Sequence, residues 1–471
     1  MAGIIAYGAY IPLYRLKREE MARAWGGAGA AGERSVANWD EDSLTLAVAA
    51  AVDCLGDADR NSIDALYLAT TTCPYQEKQG AALVAATLDL KREVLTIDFT
   101  DSLRAGTLAI RAALDAVAAG SAQRALVIAS DCRLGAPRSD WEQLLGDGAA
   151  AFLIGKGQEV AQVEGFRTHS LDFLDVWRTR KDDFLHSHED RFIFTQGYLS
   201  NIAEGVSALL KERGLSPKGI TRAVLSAPDS RRLREAAGAL GLDLKSQVQD
   251  GLLDRVGNTG AALAPMLLVA ALEQAQGGET ILVGNYGDGA DALLLRTTPL
   301  VAKRRPSRGI QGFLASKRYL GSYEKYISFR SLMTTEPPRR PPFVSYPPVL
   351  MRDRKWVLGF NGSRCQCGRL FFPPQRICLY CQAKDRFSYE RLSDKKGTLF
   401  SFTRDSLSLS VDPPEVYCLV HLEDQVRVYT RLTDRDPDQL SLDMPVEMTF
   451  RRFHDAGGYP NYFWKAMPVR G

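Results

Sequence analysis

Along its first 300 residues the chain alternates short apolar runs with Ala-rich stretches at helical spacing. Gly3 to Ile11 predicts a strand, Ser43 to Cys54 a helix, Ala65 to Ala69 a strand and Gly80 to Leu88 a helix. The apolar run Val94-Leu95-Thr96-Ile97 predicts another strand, Ala109 to Val117 a helix, and Ala125 to Ser130 a further strand. Alternation of this kind favours an α/β fold in which helices are layered on a sheet.

Between Ile97 and Ala109 the pattern breaks at Thr100-Asp101-Ser102-Leu103-Arg104-Ala105-Gly106-Thr107. A strand, a tight turn and a helix start in succession are the setting in which many enzymes raise a nucleophile to the positive end of a helix dipole. Here the raised position is Leu103, which can attack nothing. A repeat adds to the picture. Gly146-Asp147-Gly148-Ala149-Ala150-Ala151-Phe152-Leu153 recurs as Gly287-Asp288-Gly289-Ala290-Asp291-Ala292-Leu293-Leu294. Gly-Asp-Gly alone is a common hairpin turn, but two longer copies in matching context indicate duplication. Residues 1–160 and 161–298 are therefore expected to be two similar halves.

Beyond Pro299 the pattern changes. Lys303-Arg304-Arg305-Pro306-Ser307-Arg308 and Pro337-Pro338-Arg339-Arg340-Pro341-Pro342 read as basic, Pro-bearing connectors. Residues 299–345 are expected to be a linker with a helical segment between Phe313 and Leu332. Cys365, Cys367, Cys378 and Cys381 form two close pairs around a loop that lets four thiolates close on one tetrahedral Zn²⁺, Gly368 permitting the turn. Four thiolates leave no open position, so the ion would be structural. This predicts a zinc ribbon at 346–385. Residues 386–471 are strand-rich, with runs at Gly397 to Phe402, Val416 to His421, Gln425 to Leu432, Val446 to Phe453 and on through Tyr462. Five short strands suit a small all-β barrel of OB type.

Composition narrows the function classes. In 471 residues, Lys+Arg 59 against Asp+Glu 56 leave a net charge of +3, which offers no case for nucleic acid. No apolar run is long enough to span a membrane, and the N-terminus lacks a signal-peptide pattern, so a cytoplasmic protein is expected. Four clustered and four scattered cysteines fit a metal site in a reducing compartment better than a disulfide framework.

Five segments carry a resemblance: Asp40-Glu41-Asp42-Ser43-Leu44-Thr45-Leu46-Ala47, Arg104-Ala105-Gly106-Thr107, Gly146 to Gly155, Asp175-Val176-Trp177-Arg178 with Arg191-Phe192, and Gly257-Asn258-Thr259-Gly260-Ala261. In order and kind they resemble the 3-hydroxy-3-methylglutaryl-CoA synthases over roughly residues 1–298. The resemblance implies a duplicated five-layer thiolase-like fold, a homodimer and a coenzyme A thioester as substrate. The ribbon and barrel, with Arg364-Cys365 and Phe371-Phe372-Pro373-Pro374, resemble the zinc-ribbon/OB-fold domain that accompanies thiolase-like acyl-CoA enzymes.

The same resemblance implies a Cys nucleophile, a Glu and a His, which fall on Leu103, near Thr72 and on Ser226. Leu103 cannot form an acyl-enzyme, and neither Thr72 nor Ser226 titrates near neutral pH, which removes the usual proton carriers as well. Three readings follow. The pocket performs aldol or retro-aldol chemistry beside a thioester without a covalent intermediate; or a displaced group such as Cys73 restores synthase-type acyl transfer; or the protein is a non-catalytic acyl-CoA binder or scaffold. For the first reading the acid/base candidates are Tyr286, Asn258, Asp101 and His188, with Thr72, Cys73, Leu103 and Ser226 lining the substrate. Each also has a plain structural role available: Tyr286 packed under a Gly-rich turn, Asn258 and Asp101 as helix caps, Cys73 as a buried apolar residue, and His188 in a charged surface loop with His186.

Overall fold

The computed structural model describes residues 2–27, 29, 31–336, 345–423 and 426–470, in two compact units. Among these residues no helix is long and apolar enough to cross a membrane. The Pro-rich connector 337–342 lies outside the described residues.

The first unit is built on a nine-stranded sheet. Its first half contributes β1 (Gly3–Tyr10), α1 (Ser43–Leu55), β2 (Ala65–Ala69), β3 (Leu95–Phe99), α2 (Ala105–Ala119), β4 (Arg124–Asp131) and β5 (Gly148–Gly155). The second half contributes β6 (Ala161–Ser170), α3 (Ser200–Glu212), β7 (Arg222–Leu225), α4 (Ser230–Ala239), α5 (Leu263–Gln274), β8 (Thr280–Tyr286) and β9 (Gly289–Thr297). The strand order is β7-β8-β9-β6-β1-β5-β4-β2-β3, and it reads as two copies of one plan joined where Gly3 and Ile4 of β1 pair with Gln162 and Ala161 of β6. In each half the first strand lies beside an antiparallel strand that follows the repeated Gly-Asp-Gly, β5 or β9. The next strand, β4 or β8, is antiparallel to that one and parallel to β2 or β7. Where β3 completes the first half, a parallel bridge from Ala223 to Val248 holds the matching place.

The helices follow from their residues. Asp42 caps α1, its carboxylate accepting from the amides of Leu44 and Thr45 while the Thr45 hydroxyl accepts from the Asp42 amide, a reciprocal capping box. α1 and α5 are apolar all round and buried on nearly every side, the pattern of a central helix rather than a surface one. α2 and the start of α5 approach so closely that a Cβ on Gly106 would lie 2.6 Å from the Ala261 carbonyl oxygen and 2.8 Å from Pro265 Cγ.

Residues 299–345 do not form the expected linker in their first part. The segment to Tyr326 belongs to the first unit: a helix at Gly309–Ala315 buries Ile310 and Phe313, and Arg318–Tyr319 adds a parallel strand to Tyr14–Lys17. The helical spacing between Phe313 and Leu332 resolves into that helix, the short strand and a helix at Tyr323–Phe329. Apolar anchors at Ile310, Phe313, Tyr323 and Tyr326 outweigh the basic, Pro-bearing composition that suggested a connector.

The second unit comprises Asn38–Glu41, Leu83–Leu90 and Ile327–Gly471. A three-stranded sheet, β10 (Asn361–Cys365), β11 (Leu370–Phe371) and β12 (Phe387–Arg391), carries the cysteines. Five further strands follow: β13 (Gly397–Asp405), β14 (Glu415–Leu422), β15 (Arg427–Arg431), β16 (Pro445–Ala456) and β17 (Tyr459–Pro468). Their order, β15-β14-β13-β16-β17, is closed towards a barrel by a bridge between Leu432 and Ala466. Leu399, Val416, Val420, Val428, Phe450 and Trp464 fill it. Within this unit Asp40 accepts from Lys465 at 2.8 Å and from Thr433 at 2.9 Å, and Arg451 pairs with Asp434 at 2.7 Å. Burial alone would raise the Asp40 carboxyl, but Lys465 and Arg451 hold it below its ordinary value.

Candidate functional site

The turn after β3 is fixed from the second half of the same unit. Arg104 is buried and reaches across to the Gly287–Asp291 segment. Its Nη1 donates to Asp291 Oδ1 at 3.1 Å and Thr168 Oγ1 at 2.9 Å, its Nη2 to the Asp288 carbonyl at 2.8 Å, and its Nε to the Gly287 carbonyl. Asp291 also accepts from Thr107 and from Thr168, so the second copy of the repeat anchors the turn. Asn285 Nδ2 donates to the Leu103 carbonyl at 3.3 Å, and a Cβ on Gly287 would meet Leu103 Cβ at 2.8 Å. Leu103 is thereby held at the head of α2.

Leu103 borders a small, partly open cleft, together with Tyr198, Ser226, Asn258, Asn285 and Tyr286. Four of the sequence-derived candidates thus converge on one cavity: Leu103, Ser226, Asn258 and Tyr286. Ser226 Oγ accepts from the Tyr286 amide at 3.2 Å. Asn258 Oδ1 accepts from the Gly260 amide at 3.0 Å, the capping role, and from Arg133 Nη2 at 2.8 Å. Tyr286 ends β8, and its hydroxyl donates to Asp175 Oδ2 at 2.7 Å. Burial pushes the Tyr286 phenol above its ordinary value and the adjacent Asp175 carboxylate pushes it further. Burial raises the Asp175 carboxyl as well, opposed by the hydrogen bond from Tyr286.

The other four candidates are not among the cleft-lining residues. Thr72 is occupied by Asp131: its hydroxyl donates to Asp131 Oδ1 at 3.0 Å, and Thr70 and Thr71 donate to the same carboxylate. The Ala261 amide donates to Asp131 as well, at 2.8 Å. Cys73 is half-buried, packs towards Gly80, and burial raises its thiol. Asp101 is exposed at φ 66°, and no side chain caps α2. His188 is exposed beside the hairpin formed by Val176–Trp177 and His186–Ser187, its ring 5.2 Å from that of Trp177.

Three residues escaped the sequence reading: Tyr198, which lines the cleft, and Asp175 and Arg133, which bond to its lining residues Tyr286 and Asn258. Asp175 stood in a segment singled out only for its resemblance. Arg133 is buried under Gly260, whose Cβ position lies 2.7 Å from Arg133 Nε; burial lowers the guanidinium below its ordinary value. Tyr198 lies in a π-helical stretch, Ile193–Leu199, its ring edge-on to Tyr286 at 5.6 Å. Neither Arg133 nor Tyr198 belongs to a local motif.

In the second unit the sulfur atoms of Cys365, Cys367, Cys378 and Cys381 all lie within 4.8 Å of one another, with Cys365–Cys381 and Cys367–Cys378 at 3.6 Å. A tetrahedron with metal–sulfur bonds of about 2.3 Å has edges of about 3.8 Å, so the four thiols fit a metal ion. Gly368 takes the left-handed φ of 88° that the tight first pair needs.

Comparison with known proteins bears on both units. Residues 389–451 match the family described as "ChsH2, C-terminal OB-fold domain". MvaS in complex with 3-hydroxy-3-methylglutaryl coenzyme A superposes with a TM-score of 0.65 at 21% identity, covering 83% of this chain and 99% of that one. This shows a thiolase-like fold. The hydroxymethylglutaryl-CoA synthase of Methanocaldococcus jannaschii is 31% identical over 342 residues, 70% of this chain and 99% of that protein. That of Methanopyrus kandleri is 34% identical over 337 residues, 69% of this chain and 96% of that protein. Nearly the whole length of such synthases is therefore matched within this chain, which belongs to the hydroxymethylglutaryl-CoA synthase family and carries an additional OB-fold domain at its C-terminal end.

Proposed function

We propose that this protein makes or breaks a C–C bond beside a coenzyme A thioester by aldol or retro-aldol chemistry, without an acyl-enzyme. The observation that carries the reading is the Tyr286–Asp175 hydrogen bond of 2.7 Å at a cleft floored by Leu103. Where the family would place Cys, Glu and His, this chain has Leu103, the Thr72 region and Ser226. A Leu side chain cannot form a thioester, whereas a phenol hydrogen-bonded to a desolvated carboxylate can accept a proton through the pair.

In the cleavage direction the β-hydroxyl proton passes to the Tyr286 oxygen as the Tyr286 proton moves to Asp175. The Cα–Cβ bond breaks, its electron pair forming the thioester enolate as the hydroxyl becomes a carbonyl. The pair then returns its proton to Cα, giving a ketone or aldehyde and a shortened acyl-CoA. Asn258 lies at the same cleft, and the amides at the head of α2 add positive potential beside Leu103. The Cys73 alternative is weakened by a thiol that burial raises and by its place outside the cleft lining.

The rest of the reading is organisational. Residues 1–160 and 161–298 form the acyl-CoA halves, 346–385 a ribbon whose four cysteines hold a structural zinc, and 386–471 the barrel. Dimerisation uses the edge strand β3, which leaves Leu95 and Ile97 exposed on one face. The setting is cytoplasmic, with neither nucleic acid nor membrane as partner.

Incubation with acetyl-CoA followed by intact-mass measurement, and then assay of β-hydroxyacyl-CoA cleavage, tests the reading. No covalent adduct together with cleavage that is lost in Tyr286→Phe is the expected result. A stable acyl adduct would overturn it in favour of a condensing enzyme, and absence of any cleavage would favour a scaffold.

A further inference from the structure

We infer that Tyr198 touches the substrate, its hydroxyl donating a hydrogen bond to the thioester oxygen as that oxygen gains charge in the enolate. The inference rests on the acyl-CoA reading of the cleft and adds a second phenol with a different task from Tyr286. Tyr198 is 1% exposed and its hydroxyl is buried without a hydrogen-bond partner among the described residues. It lines the same cleft as Leu103, Asn258 and Tyr286. An orphaned hydroxyl is not by itself a site: Tyr7 has one too, but Tyr7 does not border the cleft.

The backbone carrying Tyr198 is also fitted to the Tyr286–Asp175 pair. Tyr198 lies in the π-helical stretch Ile193–Leu199, an irregularity often found where helices serve function. The preceding residue, Gly197, leaves room for the Tyr286 hydroxyl, which would lie 2.5 Å from a Cβ there. The Tyr198 ring stands at 90° to that of Tyr286, centroids 5.6 Å apart, so the two phenols share one corner of the cleft. Their surroundings divide the work. Tyr286 has a carboxylate to receive its proton, whereas Tyr198 has none within hydrogen-bonding reach. Burial raises the Tyr198 phenol, with Asp229 adding to the effect. It stays neutral and donates, as an oxyanion donor must.

The inference has a stability signature. A buried hydroxyl without a partner destabilises the fold, and removing it restores stability. Tyr198→Phe is therefore expected to unfold at the same or a higher Tm than wild type, while its kcat for β-hydroxyacyl-CoA cleavage falls by about 10²–10³-fold with KM little changed. Binding provides a readout independent of turnover. With acetyl-CoA labelled with ¹³C at the carbonyl, the infrared carbonyl band is expected to shift to lower frequency on binding to wild type and to move back in Tyr198→Phe. Should that variant fail to fold, 3-fluorotyrosine at position 198 in otherwise wild-type protein is expected to show a ¹⁹F shift on addition of acetyl-CoA. An unshifted carbonyl band in wild type, the same band in wild type and variant, or an unmoved fluorine signal would overturn the inference. A Tyr198-dependent band shift in a protein that cleaves no β-hydroxyacyl-CoA would uphold the hydrogen bond and reject the retro-aldol reading alone.

Discussion

Tyr286 donates its hydroxyl hydrogen to Asp175 at 2.7 Å, joining the end of β8 to a segment 111 residues earlier in the chain. Burial raises the Asp175 carboxyl, so cleavage should require its ionised form and fall away on the acid side as that carboxyl takes up a proton. Asp175→Asn is expected to lose about 10²–10⁴-fold in kcat and, with it, the acid limb of the pH–rate profile. Stability should move the other way. A carboxyl raised in the folded state makes the fold less stable as pH rises between its unfolded and folded values, so the Asn variant should match or exceed wild type in Tm at neutral pH. Rates measured across pH for both proteins check the first expectation, and thermal melts the second.

Gly197 gives the same pair a steric test. An alanine methyl there would sit 2.5 Å from the Tyr286 hydroxyl and 2.8 Å from the Phe173 ring. Something must move, and the side chain with freedom to do so is the phenol that holds Asp175. Gly197→Ala is expected to cost about 1–3 kcal/mol in stability by overpacking and to reduce kcat more than KM. Urea unfolding and steady-state kinetics on the folded variant measure the two effects; unchanged kinetics would separate the pair from turnover.

How much of this site the sequence displays depends on how each residue is placed. Leu103 and Tyr286 stand in turns with a local signature, a strand running into a helix and the repeated Gly-Asp-Gly, and both are found at the cleft. The duplication is legible for the same reason: β5 and β9 follow the same Gly-Asp-Gly sequence and take matching places in the sheet order. Asp175, Arg133 and Tyr198 carry no such signature, because their roles arise from long-range packing that periodicity does not encode. Thr72 and Asp101 illustrate the converse. Thr72 is taken up by Asp131, 59 residues away in sequence, and Asp101 faces solvent at the edge of the turn. The segment 299–326 misleads through composition, since its Lys, Arg and Pro mask the apolar anchors Ile310, Phe313 and Tyr323.

Arg104 is expected to matter for folding more than for binding. It forms a buried pair with Asp291 and donates to three carbonyls in the Gly287–Asp288 and His169 segments. Removing it leaves the Asp291 carboxylate buried without its counter-charge. Arg104→Met should therefore destabilise by about 3–5 kcal/mol. The double variant Arg104→Met with Asp291→Asn should recover part of that loss, as a double-mutant cycle in urea would show.

The four clustered cysteines lead to an expectation for metal removal. Cys365 and Cys378 are buried, and Cys367 and Cys381 exposed; β10 pairs with β11 and β12 through the backbone, and an ion would tie the Cys378–Cys381 loop to that sheet. Purified protein should contain a single zinc per chain by elemental analysis. Chelation, or Cys378→Ser, should make residues 361–391 sensitive to protease while the nine-stranded sheet stays resistant. Retained protection of that segment in metal-free protein would argue against a structural ion.

Glu273 sets a pH dependence apart from the cleft. Its carboxylate accepts from the amides of Ile310 and Gln311 and so caps the Gly309–Ala315 helix. Asp53 receives the amides of Arg308 and Gly309 alongside it. Burial raises Glu273 to about 7, Asp53 pushing the same way, while the two amide hydrogen bonds pull it down. Between its ordinary value of 4.5 and about 7 the folded chain keeps this proton and the unfolded chain does not. Stability from this group is therefore full below about pH 4.5 and declines as pH rises towards 7, by roughly 1–3 kcal/mol. Glu273→Gln keeps an oxygen to accept the Ile310 amide and carries no charge at any pH. Its stability relative to wild type should therefore increase steadily from pH 5 to pH 8, and urea midpoints taken across that range would show a constant difference if Glu273 did not titrate there.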